Sequence, residues 1–342
     1  MKRLKVGVIG VGSLGQHHAR VCQSLPNAEL VGVADVIEAR ARAAADKNGT
    51  EWVTDYRKLI DKIDAACIAV PTALHFGIAS DLVRAGKSVL VEKPMTATLG
   101  EANALCELAR KQGVALQVGH IERFNPVMQV VEQHRITPAF IECHRLSPYR
   151  FRSTDIGVVL DLMIHDLDIL LYLAKSAIES IDAVGVSLIG PREDIANARI
   201  RFASGCVANI TASRCSLKTM RKIRIFGPEG YIGLDFGNRY AMLVKKSPTF
   251  DKTRLEHVGR DWTDLSNLQK QLKFEDMLSV TELALEEYEP LHAEIQSFVN
   301  AVLEGRPPVV SGEDGRRAIE AAERVVASIR ANGWFCPAPE ET

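Results

Sequence analysis

The chain has 342 residues, of which 46% are apolar and 25% are charged, so its length and composition predict a globular protein of about two domains. Its 42 Lys and Arg almost balance its 43 Asp and Glu, and the net charge of -1 argues against nucleic acid or an anionic membrane as a partner. Its 7 cysteines are scattered without a C-x-x-C pair, which argues against a disulfide framework or a metal site and predicts reduced thiols in the cytoplasm.

The N-terminal part of the chain alternates between short apolar runs and longer helix-compatible stretches. The apolar runs are rich in β-branched residues and lie at 4–10, 28–35, 64–71, 88–94 and 114–119. The helix-compatible stretches lie at 14–25, 38–47, 74–86 and 98–112. Apolar strands that alternate with helices are typical of βαβ units, whose crossovers place helices on both faces of a parallel sheet. The pattern therefore predicts an α/β domain with a doubly wound parallel sheet over residues 1–124.

A different pattern begins at Asn125 and Pro126, which are typical of the N-cap and the first residue of a helix. A second helix is predicted near 160–174, and most of the remaining pattern consists of strands. The strand candidates lie at 138–146, 180–189, 196–203, 206–215, 221–227, 230–236 and 239–245. Consecutive strands joined by turns predict an α+β domain with a largely antiparallel sheet over residues 125–342. We expect this domain to bind the substrate and to oligomerise.

The charged, weakly patterned segment 246–288 is interpreted as an excursion or a lid. Helices predicted at 289–304 and 312–332 follow it, and they are candidates for packing back on the first domain.

The segment Gly10-Val11-Gly12-Ser13-Leu14-Gly15 is a G-x-G-x-x-G motif directly after the first predicted strand. Such glycines allow a tight turn, a close approach of the backbone to pyrophosphate and close helix–strand packing. Asp35 ends the second strand, where a ribose-binding acid is expected, so the context predicts a Rossmann site for a dinucleotide. Because a carboxylate accepts hydrogen bonds from ribose hydroxyls but repels a 2′-phosphate, Asp35 favours NAD over NADP, with Arg40 the nearest basic residue.

Glu92-Lys93-Pro94 lies at the carboxyl end of the SVLV strand, at the edge where doubly wound sheets bind ligands. Partial burial beside a positively charged nicotinamide disfavours the ammonium form of a lysine, so Lys93 is a candidate for proton transfer. The alternative interpretation is a surface lysine in a turn.

Asp161, His165 and Asp168 are spaced i, i+4 and i+7 in an otherwise apolar stretch, so they share one face of the predicted helix. A buried polar stripe needs partners or a ligand. His165 can exchange a proton near neutral pH, and Asp161 or Asp168 could orient its ring. The alternative interpretation is a core histidine beside a capping aspartate.

Together these motifs resemble those of the Gfo/Idh/MocA family of NAD(P)-dependent sugar and polyol oxidoreductases, over essentially the whole chain. The shared features are the G-x-G-x-x-G start, VPTALH at 70–75, the EKP tripeptide and the D-x-x-x-H helix. The resemblance implies that Lys93 and His165 carry the acid–base chemistry, with Asp161 in the same cluster and a cis Lys93–Pro94 bond. It implies further cofactor contacts at Val70, Pro71, Thr72, His75, Glu92 and Lys93. Many relatives have asparagine in place of Thr72, which leaves the contact made there open.

The segments GHIERFNP (119–126) and YRFRSTDIGVVLDLMIHD (149–166) are most similar to the sugar-nucleotide branch of this family. That resemblance implies hydride transfer between nicotinamide and C3 of UDP-N-acetylglucosamine, in a nucleotide-sugar or lipid A precursor pathway. Either Lys93 or His165 could take the hydroxyl proton. Candidate substrate contacts are His120, Arg123 and Arg152, with Arg150 nearby. Arg123 is equally a candidate for a structural ion pair, and the two loop arginines for solvated charges.

Two other functions remain open from the sequence. One is a dehydrogenase of a free polyol such as inositol, and the other is a non-catalytic NAD-binding sensor. The expected partners are a sugar or nucleotide sugar and further copies of the chain. Apolar residues on both alternations of strands 196–215 predict a homodimer or homotetramer. Since no apolar run approaches the ~18 residues of a membrane helix, no membrane contact is expected.

Overall fold

The computed structural model describes residues 3–134, 136–149, 156–247 and 277–333. The strands of the N-terminal part are β1 (Leu4–Ile9), β2 (Ala28–Ala34), β3 (Glu51–Val53), β4 (Ala65–Ile68), β5 (Ser88–Glu92) and β6 (Leu116–Gly119). The helices between them are α1 (Gly15–Ser24), α2 (Glu38–Asn48), α3 (His75–Arg84) and α4 (Leu99–Gln112). Within the described residues these strands form one parallel sheet of six, in the order β3-β2-β1-β4-β5-β6. The predicted doubly wound sheet is confirmed; only the short β3 was not predicted.

This sheet separates two hydrophobic cores. Leu82 and Leu105 from α3 and α4 belong to one core, whereas Val21 from α1 belongs to the other. All five residues of β5 are buried, as expected for a strand covered on both faces. Burial of each large apolar side chain contributes roughly 1.5–3 kcal/mol, so the two cores fix the strands and hence their carboxyl ends.

The C-terminal part contains α5 (Pro126–His134), which begins at the predicted residue, and α6 (Ile164–Ala174). Its strands are β7 (Phe140–Leu146), β8 (Ile178–Val186), β9 (Ile195–Phe202), β10 (Val207–Ser213), β11 (Met220–Gly227), β12 (Gly230–Asp235), β13 (Tyr240–Lys246) and β14 (Leu278–Glu282). In the described residues they form one sheet of eight, in the order β14-β13-β12-β11-β7-β10-β9-β8. Only the β7–β10 pair among these neighbours is parallel, so the predicted largely antiparallel sheet is confirmed.

One face of this second sheet is buried and the other is polar. Along β9, Ala198 and Ile200 are buried, whereas Arg199 and Arg201 are exposed. The prediction that strands 196–215 are apolar on both alternations is therefore wrong, because the outward positions of β9 carry charged and amide side chains. The homodimer or homotetramer stays a prediction.

The helix predicted near 160–174 has a local irregularity at its start. Residues Val159–Met163 form a π-helical turn before α6 begins. Asp161 therefore lies in the π turn, and His165 lies in the α-helix that follows it.

Two C-terminal helices, α7 (Pro290–Glu304) and α8 (Gly312–Ala331), follow the second sheet, and α8 packs against both sheets. Phe298 of α7 lies in the core beside α1, whereas α8 contributes Ile319 to a core of the first sheet and Val325 to the core of the second. A capping box between Ser311 and Asp314 begins α8. Both helices therefore pack against the first sheet.

Part of the segment 246–288 extends the second sheet. Its residues Leu278–Glu282 form β14, which pairs antiparallel with β13 at the sheet edge, so this part is a strand and not an excursion. The rest of the predicted lid, 248–276, lies outside the described residues. None of the helices in the described ranges is long and apolar enough to cross a membrane.

Candidate active site

The glycine-rich turn joins β1 to α1 at the carboxyl edge of the first sheet. Gly10 has a φ of +83°, and a Cβ there would lie 2.6 Å from the carbonyl oxygen of Ala69. A Cβ on Gly15 would lie 1.7 Å from the carbonyl oxygen of Gly10, so neither position tolerates a side chain. At Gly12, in contrast, an added Cβ meets no described atom within 4 Å. The turn is tightly packed on its inner side and open on its outer side, which fits the approach of a pyrophosphate.

Asp35 follows β2 and is held beside this turn by backbone groups. Its Oδ2 accepts the N–H of Val11 at 3.0 Å, and its Oδ1 accepts the N–H of Ile37 at 2.9 Å. An ionised carboxylate has about four acceptor sites, so lone pairs remain for the hydroxyls of a ribose. Within the same motif, Ser13 and Leu14 are exposed.

A cavity of about 860 Å³ opens beside Asp35. Its wall includes Val70 and Pro71 from the loop after β4, and the basic side chains Arg40 and Arg57 also line it. The volume lies within the roughly 300–1,000 Å³ of small-molecule sites. The residues present therefore fit a dinucleotide. Arg57 was missed by sequence reasoning, because nothing in the local pattern relates the segment after β3 to the end of β2.

His75 lies at the start of α3 and is buried. Its Nδ1 lies 2.9 Å from the carbonyl oxygen of Pro94, and its Nε2 lies 2.8 Å from that of Val70. Burial lowers the pKa of His75. The ring thus ties the VPTALH segment to the EKP loop, whereas Thr72 in the same segment is half-buried.

Lys93 follows β5, and its peptide bond to Pro94 is cis, as the family resemblance implied. Its Nζ donates to the carbonyl oxygen of Asp161 at 2.7 Å and lies 3.7 Å from Asp161 Oδ1. The contact joins the carboxyl edge of the first sheet to the π-helical turn before α6. The structure therefore brings together Lys93 and Asp161, two of the predicted acid–base residues that lie far apart in the sequence.

His165 lies in the first turn of α6, close enough to Lys93 for their charges to interact. Its pKa lies well below the usual range, first because of burial and then because of the positive charges of Lys93 and Arg145. Its Nδ1 is buried and has no hydrogen-bond partner among the described residues. Neither Asp161, which lies against Lys93, nor Asp168, which lies against Arg123, hydrogen-bonds Nδ1 of His165, so an orienting role for either aspartate stays a prediction.

Arg123 has the structural role that was one of its two predicted alternatives. Its guanidinium lies 3.6 Å above the ring of Tyr172, and its Nη1 lies 3.4 Å from Asp168 Oδ1. Burial raises the pKa of Asp168 to about 7 despite this arginine.

His120 is buried beside the same cluster, and neither of its ring nitrogens has a partner among the described residues. Burial, followed by the positive charges of Arg123 and Lys93, lowers the pKa of His120 to about 3. A neutral imidazole at this position can still accept or donate one hydrogen bond to a ligand. The predicted contacts of Arg150 and Arg152 fall outside the described residues.

A buried ion network beside His165 was not predicted. Arg145 of β7 donates to both carboxylate oxygens of Asp166, at 2.8 and 2.7 Å, and to Oε1 of Glu122 at 2.9 Å. The Asn125 side chain donates to Glu122 and also accepts the Val127 N–H, which confirms its capping position. The network fixes α6 against the second sheet and against the segment after β6.

Comparison with known proteins is consistent with this arrangement. A model described as an oxidoreductase family with an NAD-binding Rossmann fold matches residues 4–120, and one described as the GFO/IDH/MocA C-terminal domain matches residues 133–233. The fold thus defines an oxidoreductase with a nucleotide-binding domain and a second α+β domain. The chain belongs to the Gfo/Idh/MocA family, so the predicted family and the prediction of an enzyme are confirmed.

Named relatives match over nearly the full length. UDP-N-acetylglucosamine 3-dehydrogenase of Acidithiobacillus ferrooxidans is 33% identical over 97% of this chain and 99% of its own length. The scyllo-inositol 2-dehydrogenase (NAD(+)) of Bacillus subtilis is 29% identical over 96% of this chain and 94% of its own. The solved structure of the former has a TM-score of 0.85 at 32% identity and covers 97% of this chain and 99% of that chain. A levoglucosan dehydrogenase solved with NADH shares the fold, with a TM-score of 0.80 at 21% identity and coverage of 96% and 98%.

Proposed function

We propose that the chain is an NAD-dependent dehydrogenase that oxidises the C3 hydroxyl of UDP-N-acetylglucosamine to a ketone. The observation that carries this proposal is the contact of Lys93 with Asp161 beside His165, at the sheet edge that also bears the dinucleotide cavity. The relative that acts on UDP-N-acetylglucosamine is 33% identical, against 29% for the inositol enzyme, which supports the sugar nucleotide. The product would enter a nucleotide-sugar or lipid A precursor pathway.

When bound, NAD supplies the acceptor for the hydride that leaves the sugar carbon, so that the alcohol becomes a ketone and one proton is released. Gly12 leaves room for the pyrophosphate, and the lone pairs of Asp35 accept the ribose hydroxyls. A 2′-phosphate would meet the negative charge of Asp35, which supports NAD over NADP. Arg40 and Arg57 line the same cavity and are the groups that would hold such a phosphate.

We assign the role of base to His165. A neutral imidazole has a nitrogen lone pair that can accept the hydroxyl proton, and the His165 ring lies near Lys93 in this cluster. Lys93 is oriented by the carbonyl oxygen of Asp161, and its positive charge stabilises the negative charge that develops on the substrate oxygen. Asp161 thus acts on the reaction by holding Lys93. His120, whose ring nitrogens have no described partner, is a candidate contact for a sugar hydroxyl.

A substrate panel tests this proposal. Purified enzyme is given UDP-N-acetylglucosamine, N-acetylglucosamine or myo-inositol with either NAD or NADP, and the appearance of reduced cofactor is followed by absorbance. Binding energy from the UDP part is used at the reacting carbon, so its removal is expected to lower kcat/KM by about 10²-fold or more. Faster turnover of inositol than of the nucleotide sugar would contradict the substrate. Lack of turnover with every candidate sugar would favour a non-catalytic sensor.

The proposal extends to the assembly of the protein and to its location in the cell. We expect a homodimer or homotetramer, because the polar outer face of the second sheet is broad and carries the side chains of Arg199 and Asn209, hydrogen-bonded to each other at 3.0 Å. We expect the cytoplasm, which is reducing, because the described cysteines are free. Light scattering on the purified chain measures the assembly directly.

A further inference from the structure

The carboxylate of Glu92 is fixed by a histidine that no motif pointed to. Glu92 ends β5 and is only 8% exposed. Its Oε1 lies 2.9 Å from Nε2 of His18, a fully buried residue, and its Oε2 accepts the backbone N–H of Lys93 at 3.2 Å. Both carboxylate oxygens are therefore held, one by a side chain and one by the backbone.

The surrounding backbone prevents this carboxylate from turning away. His18 belongs to α1, the helix that follows the glycine-rich turn, so its bond connects that helix to the EKP segment. On the side of β6, a Cβ added to Gly119 would lie 3.0 Å from Glu92 Cδ. Glu92 thus has a single, closely bounded position next to Lys93.

A second carboxyl group near this pair is uncharged. Glu294 of α7 is fully buried, and neither of its carboxyl oxygens has a partner among the described residues. Burial, followed by the negative charge of Glu92, raises the pKa of Glu294 well above its usual range. Since a buried carboxyl group without a cation avoids ionisation, we assign the protonated form to Glu294, whereas both carboxylate oxygens of Glu92 have hydrogen-bond partners.

We propose that His18 is a positioning residue that holds Glu92 as a fixed negative charge and thereby favours oxidised over reduced nicotinamide cofactor. This inference rests on the proposed function, which places the nicotinamide at this edge. The nicotinamide ring is positively charged when oxidised and neutral when reduced, so a fixed carboxylate stabilises the oxidised form selectively. The N–H that His18 donates stabilises the carboxylate and keeps it in place.

The test is the ratio of the dissociation constants of NAD⁺ and NADH, measured by calorimetry on the purified full chain without substrate. Glu92→Gln removes the charge and is expected to raise the ratio of the NAD⁺ constant to the NADH constant by about tenfold. His18→Leu removes a buried hydrogen bond to Glu92 and is expected to raise the same ratio, but by no more than Glu92→Gln does, because the charge itself remains. The double variant is expected to match Glu92→Gln alone, because His18 acts through Glu92. His18→Gln keeps an N–H donor and is expected to restore part of the ratio.

Two matched variants serve as controls. His17→Leu changes an exposed histidine on the same helix, and Glu294→Gln replaces a carboxyl group that already lacks charge, so both are expected to leave the ratio unchanged. An equal loss of affinity for both forms in His18→Leu would overturn the inference, and so would additive effects in the double variant or an effect of Glu294→Gln. If His18→Leu does not fold, the ratios measured for Glu92→Gln and His18→Gln test the inference in its place. A wild-type chain that binds neither form would overturn the proposed function as well, whereas an unchanged ratio in Glu92→Gln overturns only this inference.

Discussion

The dinucleotide part and the acid–base part of the candidate site differ in their exposure and in the groups that form them. The dinucleotide part is an open cavity beside the glycine-rich turn, with the carboxylate of Asp35 held by two N–H groups. The acid–base part is buried and made of charged side chains in contact, such as Lys93 with Asp161 and Arg123 with Asp168. Water screens charges in the open part, whereas each buried charge depends on its partner. Substitutions of charged residues should therefore reduce activity or stability far more in the buried part than in the open part.

The largest effect is expected at Lys93. Lys93→Met removes the positive charge at the reacting oxygen, and kcat is expected to fall by roughly 10³-fold. NADH binding, followed by fluorescence, should remain, because the glycine-rich turn and Asp35 are untouched. Lys58→Met, at an exposed position, is the matched control and should keep the wild-type kcat. Wild-type kcat in Lys93→Met would show that the buried part does not carry the chemistry.

The next effect concerns stability. Arg145→Met leaves the buried Asp166 without its cation and Glu122 with only the longer 3.7 Å contact to Arg221, which is expected to lower the free energy of unfolding by about 3–5 kcal/mol. Arg42→Met breaks the exposed ion pair with Glu38. This loss is expected to change the free energy of unfolding by less than about 0.5 kcal/mol. Urea unfolding measures both. Equal losses in the two variants would contradict the contrast between buried and exposed charges.

A smaller effect depends on pH. Because the pKa of His120 is lowered to about 3, the unfolded chain binds a proton there below about pH 6.5 and the folded chain does not. Stability therefore falls as the pH falls, and His120 is expected to contribute roughly 2 kcal/mol of this loss between pH 7.5 and pH 5. Urea unfolding of His120→Asn should show a correspondingly weaker pH dependence than the wild type. Identical dependence in both proteins would mean that His120 is not buried in its neutral form.

The smallest effect is expected in the open part. Asp35→Ser removes the charge that opposes a 2′-phosphate, so the preference for NAD over NADP, measured as the ratio of kcat/KM values, should fall by about tenfold. Asp46→Ser, on an exposed part of α2, is the control and should leave the preference unchanged. A preference for NAD that survives in Asp35→Ser would show that the charge of Asp35 does not set the cofactor choice.

The open part could be predicted from the sequence because its residues lie within one βαβ unit. The glycine spacing, the strand ends and Asp35 all follow from patterns of a few residues, and the parallel sheet then places them together. Lys93 was also found in this way, since it directly follows a recognisable buried strand.

The buried part could only be predicted incompletely, because its geometry depends on contacts between distant elements. Spacing in an ideal helix placed Asp161 and His165 on one face, but it predicted neither the π-helical turn that contains Asp161 nor the contact of Asp161 with Lys93. The bond between His18 and Glu92 joins residues 74 positions apart, and no local pattern indicates such a pair. No sequence pattern predicts the Arg145–Asp166 contact either, since Arg145 resembles any other polar residue of a strand.

The most direct test of the central proposal follows the hydrogen that is transferred. UDP-N-acetylglucosamine with deuterium at C3 is incubated with the enzyme and NAD, and the mass of the reduced cofactor is measured. The proposed reaction predicts that the reduced cofactor carries the deuterium, and that deuterium placed at C4 or C6 stays in the sugar. Unlabelled NADH formed from the C3-deuterated substrate would contradict the proposed function.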